Sequence, residues 1–369
     1  MDQVKMYNKP IHFVVPGNLN TPTGGYHYDR KVLAQLRQLG WAVETLTLSE
    51  TFPQPTAAAL REAQTAFARL PDNAAVLIDG LAFGVLADLA ELESERLHLI
   101  ALCHHPLAFE TGLSADVQAA LHASEQRALA AARAVIVTSH HTAQLLTTHF
   151  GVTSDRITVV LPGTDRQPFA PCLGDPPCLF TLASLTRRKG HDVLLQALAE
   201  LTDLPWHARW VGSPDLDPQW CAHLTAQIAR LGLSNRVDCV GAVANPWPEL
   251  QQADVFVLPS RFEGYGMVFA EALAAGLPII AAHAGAVPDV VPASAGVLVP
   301  PDDATALAQA LRVVLTDSAK RHALQLGAQQ AAAELPSWQE AGQRILGVLS
   351  PFLEGGVDRF IGGVDPSGK

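Results

Sequence analysis

The sequence predicts an α/β protein of two doubly wound parallel-sheet domains facing a cleft. Three observations lead there. Short β-branched runs alternate with Ala/Leu/Gln-rich stretches of helical spacing along the chain, and strand-then-helix alternation builds parallel sheets covered on both faces. Several runs are apolar on both faces, as buried parallel strands must be. The alternation occurs twice over 369 residues, where one domain usually takes about 100–200.

In the first half, strands are predicted at 11–16, 42–47, 75–79, 98–103, 134–138 and 157–161, with helices at 26–39, 56–70, 114–132 and 140–149. In the second half, strands are predicted at 178–184, 206–212, 236–240, 254–258, 278–282 and 296–299, with helices between. The stretch PGTDRQPFAPCLGDPP crowds Pro and Gly at 162–177 and reads as the hinge. A helical pattern resumes at 337–349 after Pro336, followed by a Gly-rich tail. The expected organisation is a first domain over 1–165, a second over 166–336, and a terminal segment over 337–369 whose helix crosses back to the first domain.

Composition narrows the functional classes. Hydrophobic residues make up 49% and charged residues 17%, enough apolar material for packed cores. Net charge is -11, from 25 basic against 36 acidic residues, so general nucleic-acid binding is disfavoured. Five cysteines, none in CxxC spacing, suggest neither a disulfide framework nor a zinc site. The N-terminus lacks a signal-peptide pattern, and every long apolar stretch is broken by Asp, Gly or Pro. The chain is expected in the cytoplasm, without stable membrane insertion, though transient membrane contact stays open.

In open parallel sheets, ligands bind beyond the carboxyl ends of the strands, so the loops after strands matter most. After the first strand, Gly24 and Gly25 precede a helix; they suit a close phosphate or sugar contact, or an ordinary turn. His104-His105-Pro106 follows the fourth strand. A histidine there can donate to a sugar or shuttle a proton, or simply cap its loop. Arg187-Arg188-Lys189-Gly190-His191 follows the first strand of the second half. Guanidinium and ammonium groups before a helix suit a diphosphate; a solvated charge run is the alternative. Finally, Arg261 to Ala272 reads RFEGYGMVFAEA, with Glu263 and Glu271 eight positions apart around Gly264 and Gly266. A carboxylate can accept two hydroxyls, as a ribose diol offers. A helix-capping Glu plus a surface Glu would give the same letters.

The stretch PSRFEGYGMVFAEALAAGLPIIA resembles the Glu-x7-Glu motif of retaining GT-B glycosyltransferases, the family 4 group. TGGYHYDRKVLAQLRQLGW, HHPLAFETGLS, VIVTSHHTAQLL, ITVVLPGTD and LASLTRRKGHDVLLQAL resemble further segments of that group, in its order and spacing, over nearly the whole chain. The resemblance implies a GT-B fold of two Rossmann-like domains. It also implies transfer of a hexosyl group from a nucleoside-diphosphate sugar to an acceptor hydroxyl, with retention.

The implied roles follow by position. Glu263 would hold donor-sugar hydroxyls. The backbone of Gly264, Tyr265 and Gly266, running on to Met267 and Val268, would cradle sugar and diphosphate. Glu271 would bind the ribose diol. Arg188 and Lys189 would neutralise the diphosphate, and Gly24 and Gly25 would close over it. His104 would be the active-site histidine, with His105 as the alternative. No metal or other cofactor is expected; Asp215-Leu216-Asp217 reads as a structural turn. Two departures stand out. Leu182-Ala183-Ser184-Leu185-Thr186 lacks the arginine many relatives carry, which leaves the cationic work to Arg188 and Lys189, with Arg187 in reserve. PGTD replaces the commoner P-x-G-V-D around Asp165. The nucleotide base would meet backbone near 239–243. The competing classes are a GT-B sugar-nucleotide epimerase and a non-catalytic sugar-nucleotide binding protein. An NAD-linked oxidoreductase is disfavoured by the missing GxGxxG.

Overall fold

The computed structural model describes residues 9–353. The first half contains β1 (Ile11–Pro16), α1 (Gly24–Gln38), β2 (Val43–Leu48), α2 (Ala57–Ala68), β3 (Ala75–Asp79), α3 (Gly80–Phe83), α4 (Ala87–Glu93), β4 (His98–Cys103), α5 (Ala115–Ala131), β5 (Ala134–Val137), α6 (His140–Phe150) and β6 (Ile157–Val159). The second half contains β7 (Cys178–Leu182), α7 (His191–Ala199), β8 (His207–Val211), α8 (Pro218–Arg230), β9 (Val237–Gly241), α9 (Trp247–Leu250), β10 (Val255–Leu258), α10 (Met267–Ala274), β11 (Ile279–Ala282), α11 (Val287–Val290) and β12 (Gly296–Val299). Three helices complete the described residues: α12 (Ala304–Thr316), α13 (Ser318–Ala332) and α14 (Trp338–Leu353).

The strands form two six-stranded sheets, ordered β2-β1-β3-β4-β5-β6 and β12-β11-β10-β7-β8-β9. All their pairings are parallel. Alternation places successive side chains on opposite faces. In β1, Val14 enters one core, while Ile11, Phe13 and Val15 enter the other. In β10, Val255 and Val257 take one face, Phe256 and Leu258 the other. Helices therefore have to cover both sides of each sheet.

The predicted strands are all present, to within one or two residues at most ends. The sequence reading gave no helix between β3 and β4, where the structure has α3 and α4. Both are too short for a visible period, and α3 begins because Asp79 accepts from Leu81 N at 2.8 Å. The last helix also runs past 349, to Leu353. The Gly-rich tail lies outside the described residues.

The chain passes between the sheets twice. Thr164 N donates to Pro336 O at 2.8 Å, and the Arg166 guanidinium reaches the carbonyls of Ala333 and Leu335, each at 3.1 Å. The two crossings are thus tied side by side. Beyond them, α14 buries Trp338, Ala341, Ile345 and Leu349 against α1 and the first sheet.

Each sheet reverses strand order once, between β1 and β3 in the first and between β7 and β10 in the second. At such a point the loops diverge and leave a crevice. Gly24, Gly25 and Asp79 follow one reversal; Arg187 to Lys189 and Pro259 to Gly266 follow the other.

Candidate active site

Most long helices begin at a capping side chain, such as Thr23, Thr56, Ser139 or Asp217. Two do not. α7 begins at Gly190 and α10 at Gly266, both left-handed (φ 70° and 84°) and neither offering a side-chain cap. Their first N–H groups keep a partial positive charge for an anion. Met267 and Val268 form the first turn of α10, half-buried.

Between these two helix ends lies a cation–carboxylate cluster. Glu263 is 4% exposed. Its Oε1 accepts from Lys189 Nζ at 2.6 Å and from Ser260 Oγ at 2.6 Å, and its Oε2 faces Arg188 at 3.4 Å. Burial acts to raise the Glu263 pKa, but the charges of Lys189 and Arg188 outweigh it and hold the group at about 2. Glu263 is therefore a fixed anion with lone pairs left for hydroxyls. Arg188 also donates to Phe262 O at 3.0 Å and lies 3.4 Å from Glu110 of the first domain. Arg187 takes no part: it is turned away, stacked over Trp220 at 4.3 Å.

Glu271 sits further along α10, near Asp165 and Lys31, which bond each other at 2.6 Å. Burial, reinforced by Asp165, lifts its pKa to about 7. It does not join the Glu263 cluster. Cys239 to Gly241 belong to the edge strand β9. Asp217 caps α8, and Asp215 bonds Ser213 at 3.1 Å, so this pair serves its own loop.

The first domain brings the histidines to the same place. His104 O lies against Gly264, and the His105 ring packs on Phe262 at 4.3 Å. The two rings differ in kind. Both nitrogens of His105 are buried without a partner, and burial takes its pKa down to about 4. His104 Nε2 instead lies 3.0 Å from Asp29 Oδ1 and 3.4 Å from Asp79 Oδ2. Gly25 passes close to the His104 ring, while Gly24 is open to solvent. Below, the buried Glu125 accepts from Leu107 N at 2.7 Å and Ala108 N at 2.9 Å, bracing the loop after His105.

Asp29, Asp79 and His104 also have the composition of a divalent-cation site, with one ligand atom from each within 4.8 Å of the others. In this geometry they bond one another.

Asp29, Asp79, Ser260, Glu110 and Lys31 were not read from the sequence. Asp79 carried a signal, as a carboxylate ending an otherwise apolar strand next to the order reversal. Asp29 is one helical turn beyond Gly25, and nothing local marks it. Of the apolar residues at 50–60 and 106–120, Phe52, Leu107 and Ala108 are buried, while Leu60 and Val117 are exposed.

Two parallel six-stranded sheets with their switch points turned to a shared crevice define the GT-B architecture. The chain belongs to the glycosyltransferase family 4 group: residues 30–167 match the model described as Glycosyltransferase Family 4, and residues 176–317 that described as Glycosyl transferases group 1. It is 34% identical over 265 residues to D-inositol 3-phosphate glycosyltransferase 1 of Catenulispora acidiphila, covering 64% of this chain and 62% of that one. It is 31% identical over 216 residues to a GDP-mannose-dependent phosphatidylinositol monomannoside mannosyltransferase of Mycolicibacterium smegmatis, covering 51% of this chain and 55% of that one. The matches thus span about three fifths of these relatives' lengths. Among solved structures, sucrose-phosphate synthase of Thermosynechococcus elongatus superposes with a TM-score of 0.79 at 23% identity, covering 93% of this chain and 98% of that one. HepE of Anabaena, solved with UDP and glucose, gives 0.73 at 22%, covering 93% and 99%. These likenesses establish the fold. No helix among the described residues is long and apolar enough to cross a membrane.

Proposed function

We propose that the protein is a hexosyltransferase that moves a sugar from a nucleoside diphosphate to an acceptor hydroxyl, with retention and without a metal ion. One observation carries the reading: Lys189 and Arg188 meet the buried Glu263 between the uncapped starts of α7 and α10. The cations and helix ends suit a diphosphate that gains negative charge as it leaves. Losing one such donor typically costs about 2.7–4 kcal/mol of transition-state stabilisation. Glu263 orients sugar hydroxyls, Glu271 takes the ribose diol, and the backbone from Gly264 to Val268 cradles the sugar and diphosphate. Gly24 and Gly25 close over the phosphates from the opposite side.

Glu263 is already engaged by two cations and a serine, which suits hydroxyl binding better than covalent attack. The acceptor oxygen then adds to the face the diphosphate leaves. The bond from the anomeric carbon to the phosphate oxygen breaks, the new C–O bond forms, and the acceptor proton passes to the departing phosphate. The work is done in the cytoplasm, without nucleic acid.

The acceptor side has its own chemistry. The loops at 17–23, 49–56, 80–86, 104–114 and 138–141 bring four histidines with Glu50 and Glu110, and their sequences contain no Lys or Arg. Arg30, in the helix behind, donates to the carbonyls of Leu19 and Thr21, and Lys31 is paired with Asp165. An uncharged hydroxyl acceptor suits these loops better than a phosphorylated one.

The first test is thermal stabilisation by UDP, GDP, ADP, dTDP and NAD⁺, each with and without EDTA. Stabilisation by one nucleoside diphosphate, insensitive to EDTA and weakened in Glu271→Ala, is expected. Stabilisation by NAD⁺ alone overturns the proposal. Turnover of the matching sugar nucleotide to an isomer, without any acceptor, would favour the epimerase class. Binding without turnover would favour a sensor.

A further inference from the structure

We propose that Asp29 and Asp79 are positioning residues of the transfer site, which hold His104 by its Nε2 and leave Nδ1 as the ring nitrogen that donates to a substrate oxygen. The inference rests on the transferase reading and adds a constraint to it: His104 is a donor and not the base.

The geometry comes from three separate elements. Asp29 projects from the second turn of α1, Asp79 ends β3, and His104 follows β4. Both carboxylates are buried, at 0% and 1% exposure. Asp79 is fixed further, because its Oδ1 caps α3. Tyr28, beside Asp29 on α1, meets the His104 ring edge-on at 5.2 Å and anchors its own hydroxyl on Val160 O. Tyr26, the other titratable group close to both carboxylates, is tied to Pro16 O at 2.7 Å. The ring is therefore gripped on its Nε2 side and along its edge. Nδ1 has no hydrogen-bond partner among the described residues, and the side chain keeps 21% exposure.

The charge follows from the geometry. Burial alone would favour neutral imidazole, but Asp29 and Asp79 outweigh it and lift the His104 pKa to about 10. An imidazolium carries a proton on both nitrogens, so it donates twice and accepts nothing. It cannot take the acceptor proton, which leaves the departing phosphate to do so. Asp29 also bears a cost that packing does not explain: it is fully buried, its Oδ2 has no partner, and burial beside Asp79 lifts its pKa to about 7.

The test reads the ring directly. In protein labelled with ¹³C,¹⁵N-histidine, His104 is assigned by the signal lost in His104→Gln and followed from pH 5 to 10. In the unsubstituted protein both ring nitrogens should stay protonated to about pH 9. In Asp29→Asn, and separately in Asp79→Asn, the ring should titrate about three pH units lower, near 7. With UDP-glucose or GDP-mannose as donor, kcat of either variant should fall about tenfold from pH 6 to pH 8, as protonated histidine falls tenfold near a pKa of 7. The donor KM should change less than twofold. A purely structural role would lower activity equally at every pH. If His104 titrates below pH 8 in the unsubstituted protein, the proposal fails whether or not any variant folds. It fails also if one equivalent of Zn²⁺ or Mn²⁺ shifts the His104 signal, since the three side chains then form a cation site. A high-pH imidazolium with no turnover of any sugar nucleotide would uphold the grip on His104 and count against the transferase reading.

Discussion

Gly264→Ala offers a clean test of how the two domains cooperate. Gly264 belongs to the second domain, but a β-carbon built on it would lie 2.3 Å from the carbonyl oxygen of His104 and 3.3 Å from His105 Cβ. Ordinary contact begins at 3.4 Å, so the facing loops must part by about 1 Å, the scale at which a misplaced group can cost about 10²-fold in rate. Gly264 is not among the residues with positive φ, so alanine adds no backbone strain, and the crevice can relieve the clash by opening. Loss should therefore fall on turnover, with Tm changing little. Gly266→Ala is the contrast. Gly266 has φ 84°, and its β-carbon would meet Phe269 at 2.6 Å inside the same domain, so that variant should lower Tm itself. The assays are steady-state transfer kinetics and differential scanning fluorimetry on both variants. A Gly264→Ala enzyme with kcat/KM within twofold of the unsubstituted protein would refute the argument that the loops must touch for transfer.

Three further outcomes are expected. Glu263→Ala leaves the mostly buried Lys189 without its carboxylate and Arg188 with Glu110 alone; removing one partner of a fully buried pair typically costs about 3–5 kcal/mol, and the partial exposure of both cations places this loss at or below the lower end; urea unfolding measures it, and an unchanged midpoint would contradict the cluster. Because Glu263 is held at about 2, below its ordinary 4.5, its contribution is present above pH 4.5 and lost as pH falls toward 2. Glu271 runs the opposite way: its folded pKa of about 7 lies above the ordinary 4.5, so ionising it costs stability as pH rises through 7. Between pH 6 and 8, Glu271→Gln should lose less Tm than the unsubstituted protein while binding nucleoside diphosphate more weakly; parallel pH curves would refute this. Neutral polyols should exceed their phosphate esters as acceptors by about tenfold in kcat/KM, or ~1.4 kcal/mol, and the reverse ranking would rule out the acceptor reading.

The strand pattern was legible because the buried strands are short apolar runs, several of them bounded by Gly, Pro or Asp, a signal that needs no partner. The stretch from Arg261 to Ala272 was legible because a loop and the helix after it hold most of its chemistry in one continuous piece. What the sequence could not supply was the meeting of distant pieces. Asp29, Asp79 and His104 are up to 75 positions apart, and only the order β1-β3-β4 in the first sheet brings their carboxyl ends together. Arg187, Arg188 and Lys189 look equivalent as letters, yet the turn that ends at Gly190 sends Arg187 to Trp220 and the other two to Glu263. His104 and His105 were likewise indistinguishable as neighbours. By itself the sequence determined the two α/β halves, the family resemblance and the loops that follow the strands, since local periodicity and short motifs encode them. Tertiary structure alone decided which histidine lies against the buried carboxylates, which arginine meets Glu263 and which carboxylates reach the His104 ring. Burial and charge pairing are set by neighbours in space, and those neighbours lie some 75 positions away along the chain.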